Sequence, residues 1–410
     1  MTLLTHPFGN ANVRALLSAL YRADKLARFI TALGWSNEST ALRLLPLRRR
    51  AQLARRGYDL PASKIKIHPL RETARLLSGV IGHSSLTQHE AGWASIDRVW
   101  RSLDAFTAEY LKAHAERLRL NAVYSYEDCA ERSFSAAREL GLRRVYDLPI
   151  AYWETARRLL QNEARRYPDW EPTLGATSDS PEKLARKSRE LDLAEVVVCP
   201  SGFVLDSLPA AARDSKKCAV VPFGSPVVTP PSPGGKKNGR RALRFLFAGA
   251  MTQRKGLADV FAAMRLLGGK EAELVVMGSP ILPMGFYRGE FGSFSYEPPR
   301  DHASVLRLMT SCDVLVLPSI VEGRALVQQE AMACGLPLLV TRNAGGEDLV
   351  SEGETGFLVP PSDPAALAKK MEWFLENMEE LPAMNSAARA KAAELTWPAY
   401  GASVLHAIDI

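Results

Sequence analysis

One stretch divides this chain. Residues 225–241, SPVVTPPSPGGKKNGRR, are prolines, glycines and bases with no apolar period. Such a composition makes a linker between domains. On each side of it, short apolar runs alternate with helix-like segments, and that alternation predicts parallel sheets. Before it, strands are expected at Thr2–Thr5, Ala122–Tyr126, Val145–Leu148, Val196–Cys199 and Cys218–Val221. After it, they are expected at Arg244–Ala248, Glu273–Met277, Val314–Leu317, Pro337–Thr341 and Gly356–Val359. Helices fill the intervals, and residues 36–117 read as mostly helical with no strand placed. The fold class is therefore α/β, as two doubly wound domains: 1–224, the linker 225–241, and 242–394. The last segment, 395–410, is a helix able to cross back onto the first domain.

At 410 residues the chain exceeds one ordinary core. An apolar content of 47% and a charged content of 24% are those of a soluble globular protein. No apolar run reaches the roughly 18 residues of a membrane span. The start, MTLLTHPFGNANVR, lacks the marks of a signal peptide. The five cysteines, Cys129, Cys199, Cys218, Cys312 and Cys334, have no metal-ligand spacing and fit reduced thiols in the cytoplasm. The net charge of +7 attracts anions. Arg48, Arg49, Arg50, Arg55, Arg56, Lys64 and Lys66 cluster near Leu45, Leu47 and Leu53. This cluster reads either as a solvated helix face or as a peripheral contact with anionic membrane. Nucleic acid is disfavoured, because no aromatics interleave with the bases.

The chemistry concentrates in residues 311–361. SCDVLVLPSIVEGRALVQQEAMACGLPLLVT places Glu322 after a buried strand and Glu330 inside the helix that follows. Ligands of open α/β sheets bind beyond the carboxyl ends of strands, where helix N-termini favour phosphate. D-V-x-V-x-P-S, E-x7-E and E-A-M-A-C-G-x-P together resemble the donor-site signature of family 4 retaining glycosyltransferases of the GT-B fold. The resemblance extends from about Leu243 to Pro361 and is looser in the first half.

The resemblance implies a nucleotide-sugar donor, a glycan, lipid-linked or small-molecule acceptor, and transfer with retention. Glu330 then matches the residue that accepts hydrogen bonds from ribose hydroxyls. Glu322 matches the carboxylate beside the donor sugar. Gly249 opens the loop G-A-M-T-Q-R-K-G, in which Lys255 matches a diphosphate-neutralising lysine. The usual arginine position is Ala250, and Arg254 offers the second charge from another point. Gly323 permits close backbone approach. Arg324 and Ala325 replace an aromatic and a glycine, so Arg324 either alters sugar preference or meets an anionic group. Gly278 and Tyr296 flank the expected base site, with Arg300 and His302 as alternatives. Gly346, with Gly345 and Glu347, either lines the cleft or forms a helix-capping turn.

On the acceptor side the candidates are His6, Gly9 and Asn12, then Glu127 and Asp128, then Asp147. The first group reads equally as a structural turn. Glu127 and Asp128, without a basic neighbour in sequence, either bind a hydroxyl or raise one another's pKa. The family's histidine after Asp147 is absent, Pro149 standing near it. No D-x-D motif suited to a metal is found, and neither metal nor cofactor is expected. Two rival readings are a nucleotide-sugar epimerase or hydrolase on the same fold, and a non-catalytic protein that binds lipid or nucleic acid through its basic surface.

Overall fold

The computed structural model describes residues 1–38, 56–228, 242–269 and 271–409. Arg48, Arg49, Arg50 and Arg55, their neighbouring leucines and most of the linker lie outside these residues. The first half comprises β1 (Thr2–Thr5), α1 (Ala11–Arg22), β2 (Leu26–Thr31), β3 (Trp35–Ser36), β4 (Gly57–Tyr58), β5 (Ile65–Ile67), α2 (Leu70–Ile81), α3 (Ile96–His114), β6 (Ala122–Tyr126), α4 (Glu131–Glu139), β7 (Arg143–Asp147), α5 (Trp153–Arg166), α6 (Pro181–Leu193), β8 (Val196–Cys199), α7 (Gly202–Ser207), α8 (Ala210–Ser215) and β9 (Lys217–Val220). The second comprises β10 (Leu243–Ala248), α9 (Leu257–Leu266), β11 (Ala272–Met277), α10 (Met284–Glu290), β12 (Phe294–Glu297), α11 (His302–Met309), β13 (Val314–Leu317), α12 (Leu326–Cys334), β14 (Leu338–Thr341), β15 (Gly356–Val359), α13 (Pro364–Glu376), α14 (Leu381–Glu394) and α15 (Trp397–Ala407).

The seven-stranded sheet runs β5-β2-β1-β6-β7-β8-β9 and the six-stranded one β12-β11-β10-β13-β14-β15, with parallel pairing throughout both. β1, β6, β8 and β13 are buried at every position, because helices cover both sheet faces. In each sheet the strand order reverses beside its first strand, opening a crevice at the carboxyl edge between β1 and β6 and between β10 and β13. Helix starts are set by short polar side chains. Ser95, Ser180, Ser201, Asp301 and Thr396 each accept a hydrogen bond from an amide in the first turn, at about 1 kcal/mol apiece.

Five strands depart from the sequence reading, β3 and β4 among them as a small two-stranded sheet of their own. β2 and β5 belong to the first sheet, where no strand was placed between 5 and 122. Arg28 interrupts the apolar run of β2, and β5 is a largely exposed edge. β12 is the edge of the second sheet, and only Phe294 of its four residues is buried.

Each half lends an element to the other. Tyr400, Val404 and Ile408 join the core of the first half. A Cβ on Gly401 would sit 2.6 Å from that of Ala19, so glycine lets α15 lie close on α1. In return, the turn Pro168–Thr173 after α5 plants Trp170 in the core of the second half, 5.1 Å from the Phe286 ring and 5.5 Å from that of Tyr287.

Candidate active site

The donor-side loops are fixed by backbone. After β10 the chain turns at Gly249 (φ 147°), where a Cβ would press 2.8 Å from Lys255 Cδ. Thr252 caps the following turn by accepting from Lys255 N (3.3 Å). Gly256 (φ 80°) leaves that turn against the Pro318 carbonyl, which a side chain would overlap. Ile320 N then donates to Arg254 O (2.9 Å), tying the loop after β13 to the loop after β10.

These ties bring three predicted side chains together. Lys255 Nζ and Arg254 Nη1 both bind Glu322 Oε1, the latter at 3.0 Å. Arg254 Nη1 also donates to Val321 O (2.9 Å). Burial alone would raise the Glu322 carboxyl, but Arg254 and Lys255 outweigh it and hold the pKa below its ordinary value. Glu322 is therefore an ionised carboxylate at neutral pH, and two cations share one anion. The cluster stands at the crevice between β10 and β13.

The other donor-side candidates are distributed around it. Glu330 lies on α12, half-buried, with His302 Nε2 3.0 Å from its Oε1. Tyr296 OH donates to Gly278 O (3.1 Å), so the ends of β11 and β12 close on each other. A Cβ at Gly278 (φ 155°) would overlap the Gly249 carbonyl. Arg300 pairs with Glu297. Gly323 does permit close approach, but to protein: a Cβ there would overlap the Pro149 carbonyl of the first half. Ser201 Oγ donates to Gly323 O (2.7 Å) across the same contact. The anionic group that Arg324 meets is Asp348 (2.7 Å), and its buried side chain also lies 3.4 Å from Pro200 O and Gly345 O. Gly345 (φ 73°) ends the turn Arg342–Ala344, and Gly346 packs on Gln328 and Val340. Glu347 accepts from Phe203 N (3.1 Å) and pairs with Arg342. These three residues form a turn at the contact between halves.

The acceptor-side candidates are more enclosed than their sequence positions imply. His6 is buried among Trp100, Tyr126 and Phe8, ring centroids 5.1, 4.6 and 6.3 Å away. Its Nδ1 accepts from Phe8 N (2.9 Å), and burial lowers its pKa to about 3. A Cβ at Gly9 would strike the Tyr58 hydroxyl at 2.5 Å. Asn12 is buried. Asp147 accepts from Tyr124 OH (2.6 Å). Burial raises its pKa to about 7 against this hydrogen bond.

Glu127 and Asp128 require a correction. Bases 58 to 60 residues away in sequence reach them from α6. Lys187 Nζ lies 3.3 Å from Glu127, and Arg186 Nη2 3.0 Å from Asp128. Burial raises Glu127, and Asp128 adds less. Asp128 itself is lowered: burial would raise it, but Lys187, Lys183 and Arg186 prevail. The expected mutual raising therefore holds for Glu127 alone, and the bases of α6 reverse it for Asp128.

The sequence reading missed Gln253. It is fully buried, donates through its backbone N–H to Thr173 Oγ1 (2.9 Å), and donates through Nε2 to Glu163 (2.8 Å) and Asp259 (2.9 Å). Arg166 joins this network by pairing with Asp259 (2.6 Å). An amide beside two charged loop residues carries no sequence signal of its own. Among the described residues, His89, Glu90 and Asp179 have metal-ligand spacing, but Asp179 is bound by Lys183 (2.8 Å) and Glu90 by Ser180 N (3.1 Å). No described helix is long and apolar enough to cross a membrane.

Comparison with known proteins bears on this arrangement. The family model described as Glycosyl transferases group 1 matches residues 242–377. The D-inositol 3-phosphate glycosyltransferase of Streptomyces coelicolor is 28% identical over 272 residues, 56% of this chain and 58% of that protein. That of Corynebacterium glutamicum is 26% identical over 254 residues, 55% and 60% respectively. The chain thus spans under two thirds of the length of these curated relatives. Among solved structures, sucrose-phosphate synthase of Thermosynechococcus elongatus superposes with a TM-score of 0.66 at 16% identity, covering 99% of this chain and 97% of that one. Anabaena HepE in complex with UDP gives 0.62 at 15%, covering 100% and 99%. Residues 242–377 are thus similar to the group 1 glycosyl transferases, and over its whole length the chain has the GT-B fold of two Rossmann-like domains.

Proposed function

We propose that the protein is a retaining glycosyltransferase that moves a sugar from a nucleotide-sugar donor to an acceptor hydroxyl. The observation that carries this reading is the convergence of Lys255, Arg254 and Glu322 at the β10/β13 crevice, within the matched segment. A diphosphate placed there meets two cations fixed by backbone, and fixed charge stabilises a leaving group without reorganisation. Glu322, ionised between them, is suited to orient sugar hydroxyls or offset positive charge at the anomeric carbon. It holds no proton to donate. In the front-face route, the anomeric C–O bond to phosphate breaks and the acceptor oxygen bonds to the same face. The acceptor proton passes to the departing phosphate, so no enzymic nucleophile is needed. Lys255 and Arg254 supply charge that a metal would otherwise supply, and metal independence is part of the proposal. Glu330 on α12 is assigned to the ribose hydroxyls. The cytoplasm is the compartment where such donors are made, and a role in building polysaccharide accompanies the reading.

The relative crystallised with UDP supports testing that base first. Thermal-shift titrations with UDP, GDP, ADP, CDP and dTDP on the native chain and on Glu330→Ala decide the matter. Stabilisation by one diphosphate, lost in the variant, supports the donor site. No stabilisation by any removes it. Product anomeric configuration by NMR then tests retention.

A peripheral membrane contact is a second element, favoured by exposed apolar side chains near bases. Leu70, Leu77, Trp93 and Ile96 are 45% to 65% exposed, and Arg71 lies over the Trp93 ring at 4.7 Å. Liposome sedimentation that is unchanged by Leu70→Asp with Leu77→Asp eliminates it.

A further inference from the structure

Four guanidinium groups face one cavity on the first domain. The cavity, about 240 Å³, is lined by Arg71, Arg98, Arg101, Ser102, Ala105 and Arg132, with no carboxylate in the lining. Arg98, Arg101, Ser102 and Ala105 recur at helical spacing, so they form one face of α3. Arg71 comes from the first turn of α2 and Arg132 from the first turn of α4. The three helices converge at the level of the strands' carboxyl ends. Trp100, on another face of α3, touches the His6 ring after β1 at 5.1 Å, and Cys129 Sγ after β6 donates to Trp100 O (3.6 Å).

Like charges brought this close repel, and nearby acids do little to relieve them. Asp97 lies 3.8 Å from Arg101 but is already engaged by Arg186. Arg71 donates to the Trp93 carbonyl, which carries no charge. Among the described residues neither Arg98 nor Arg132 pairs with a carboxylate. Burial, and then Arg98 and Arg101, lower the Arg71 pKa, as expected of an uncompensated cation. The acidic side chains nearby are absorbed elsewhere: Asp104 caps α4 by accepting from Arg132 N (2.7 Å) and Ser133 N (2.9 Å), and Glu131 binds Arg189. The arginine set is therefore short of anions where its neighbours are balanced. Guanidinium groups bind tetrahedral oxyanions in paired hydrogen bonds, and several from different elements enclose one.

We propose that this cavity binds a phosphate group carried by the acceptor. The word acceptor rests on the transferase reading above, while the phosphate chemistry rests on the cavity alone. The position fits: the cavity borders the edge of the first sheet that faces the donor loops, and it is built from the half that holds no donor candidate. A phosphate monoester of a small sugar and the phosphodiester of a lipid headgroup present the same chemistry to it.

The test uses the full chain and calorimetric titration at matched ionic strength. Inorganic phosphate and glucose 6-phosphate are the soluble probes, and glucose is the uncharged control. Vesicles of phosphatidylglycerol and of phosphatidylcholine form the lipid arm, and a single-stranded oligonucleotide the third. Each is run on the native chain, on Arg98→Gln with Arg132→Gln, and on Arg22→Gln, a base outside the cavity. UDP affinity is measured in parallel; retained affinity shows that the variants are folded. The expected result is saturable binding of both soluble phosphates, weakened at least about tenfold in the double variant, unchanged in Arg22→Gln, and absent for glucose. Binding of phosphatidylglycerol vesicles alone, lost in the double variant, supports the site with a lipid headgroup as the source. Equal phosphate binding by native chain and double variant overturns the proposal, as does no binding of either phosphate source above matched sodium chloride. Preferential capture of the oligonucleotide overturns it in favour of nucleic acid. Failure of UDP, GDP, ADP, CDP and dTDP alike to bind the native chain sinks the transferase reading and leaves the phosphate titrations to judge the cavity separately.

Discussion

Glu322 and Asp147 sit at the carboxyl edges of the two sheets, Asp147 buried and Glu322 largely so, and loss of solvent drives both carboxyls upward. Their outcomes are opposite. Arg254 and Lys255 turn Glu322 downward, whereas Asp147 meets the Tyr124 hydroxyl and rises to about 7. Partners, and not depth, decide the charge state of a buried carboxyl. The same topology thus gives one edge a fixed charge pattern suited to a diphosphate. It gives the other a neutral, aromatic floor beside an excess of arginine.

The largest test of this contrast is a pH profile. Asp147 keeps its proton to about pH 7 in the folded chain, while an unfolded aspartate loses it near its ordinary value of 3.8. Between those values the native state binds more protons, so this group subtracts stability as pH rises and its full penalty stands above pH 7. Asp147→Asn should gain on the native chain from pH 4 to 8, on the order of 4 kcal/mol at the upper end. Urea melts at stepped pH measure it, and parallel curves for the two proteins would break the contrast. His6 acts in the opposite sense. Its folded pKa of about 3 lies below the ordinary 6.5, so it costs stability as pH falls below 6.5. The two slopes offset each other in the native chain, and the Asn variant should reveal that of His6.

Next in size is Lys255→Ala, which removes a fixed cation from the leaving group. Donor turnover should fall about 100- to 1000-fold in kcat/KM. A loss within roughly fivefold would mean that the diphosphate does not use this edge. Gly323→Ala places a methyl group on the Pro149 carbonyl and should cost about 1–3 kcal/mol in thermal stability. Unaltered melting would show that the two edges do not rest against each other there. The smallest effect belongs to Glu322→Gln. With their anion neutralised, Lys255 and Arg254 should bind UDP roughly three- to tenfold more tightly, while turnover drops. Weaker UDP binding in that variant would reverse the role given to the carboxylate.

The donor edge was legible in sequence because its residues are local. Val314–Leu317 is a pure apolar run, and Glu322 follows it within five residues. Lys255 and Arg254 sit in one glycine-bounded loop. What the sequence did not announce were pairings over distance. Glu127 and Asp128 meet bases of α6, and His6 disappears behind Trp100, whose helix lies some ninety residues onward. Edge strands were hidden for another reason: Ile65–Ile67 and Phe294–Glu297 bury little, so they carry little apolar pattern. The arginine cavity was half visible, as helical spacing of Arg98 and Arg101, but its other walls come from separate helices.

The exchange of α15 for the Trp170 turn has a consequence for the order of synthesis. α1 leaves the ribosome early, yet the apolar face that α15 covers must wait for residues 397–407. At ordinary translation rates of about 5–20 residues per second, that wait is roughly 20 to 80 s. Through that interval Trp170 also lacks the second domain's core. The nascent first domain therefore carries two uncovered apolar surfaces until the final helix arrives, and that interval is when a chaperone has the most to hold.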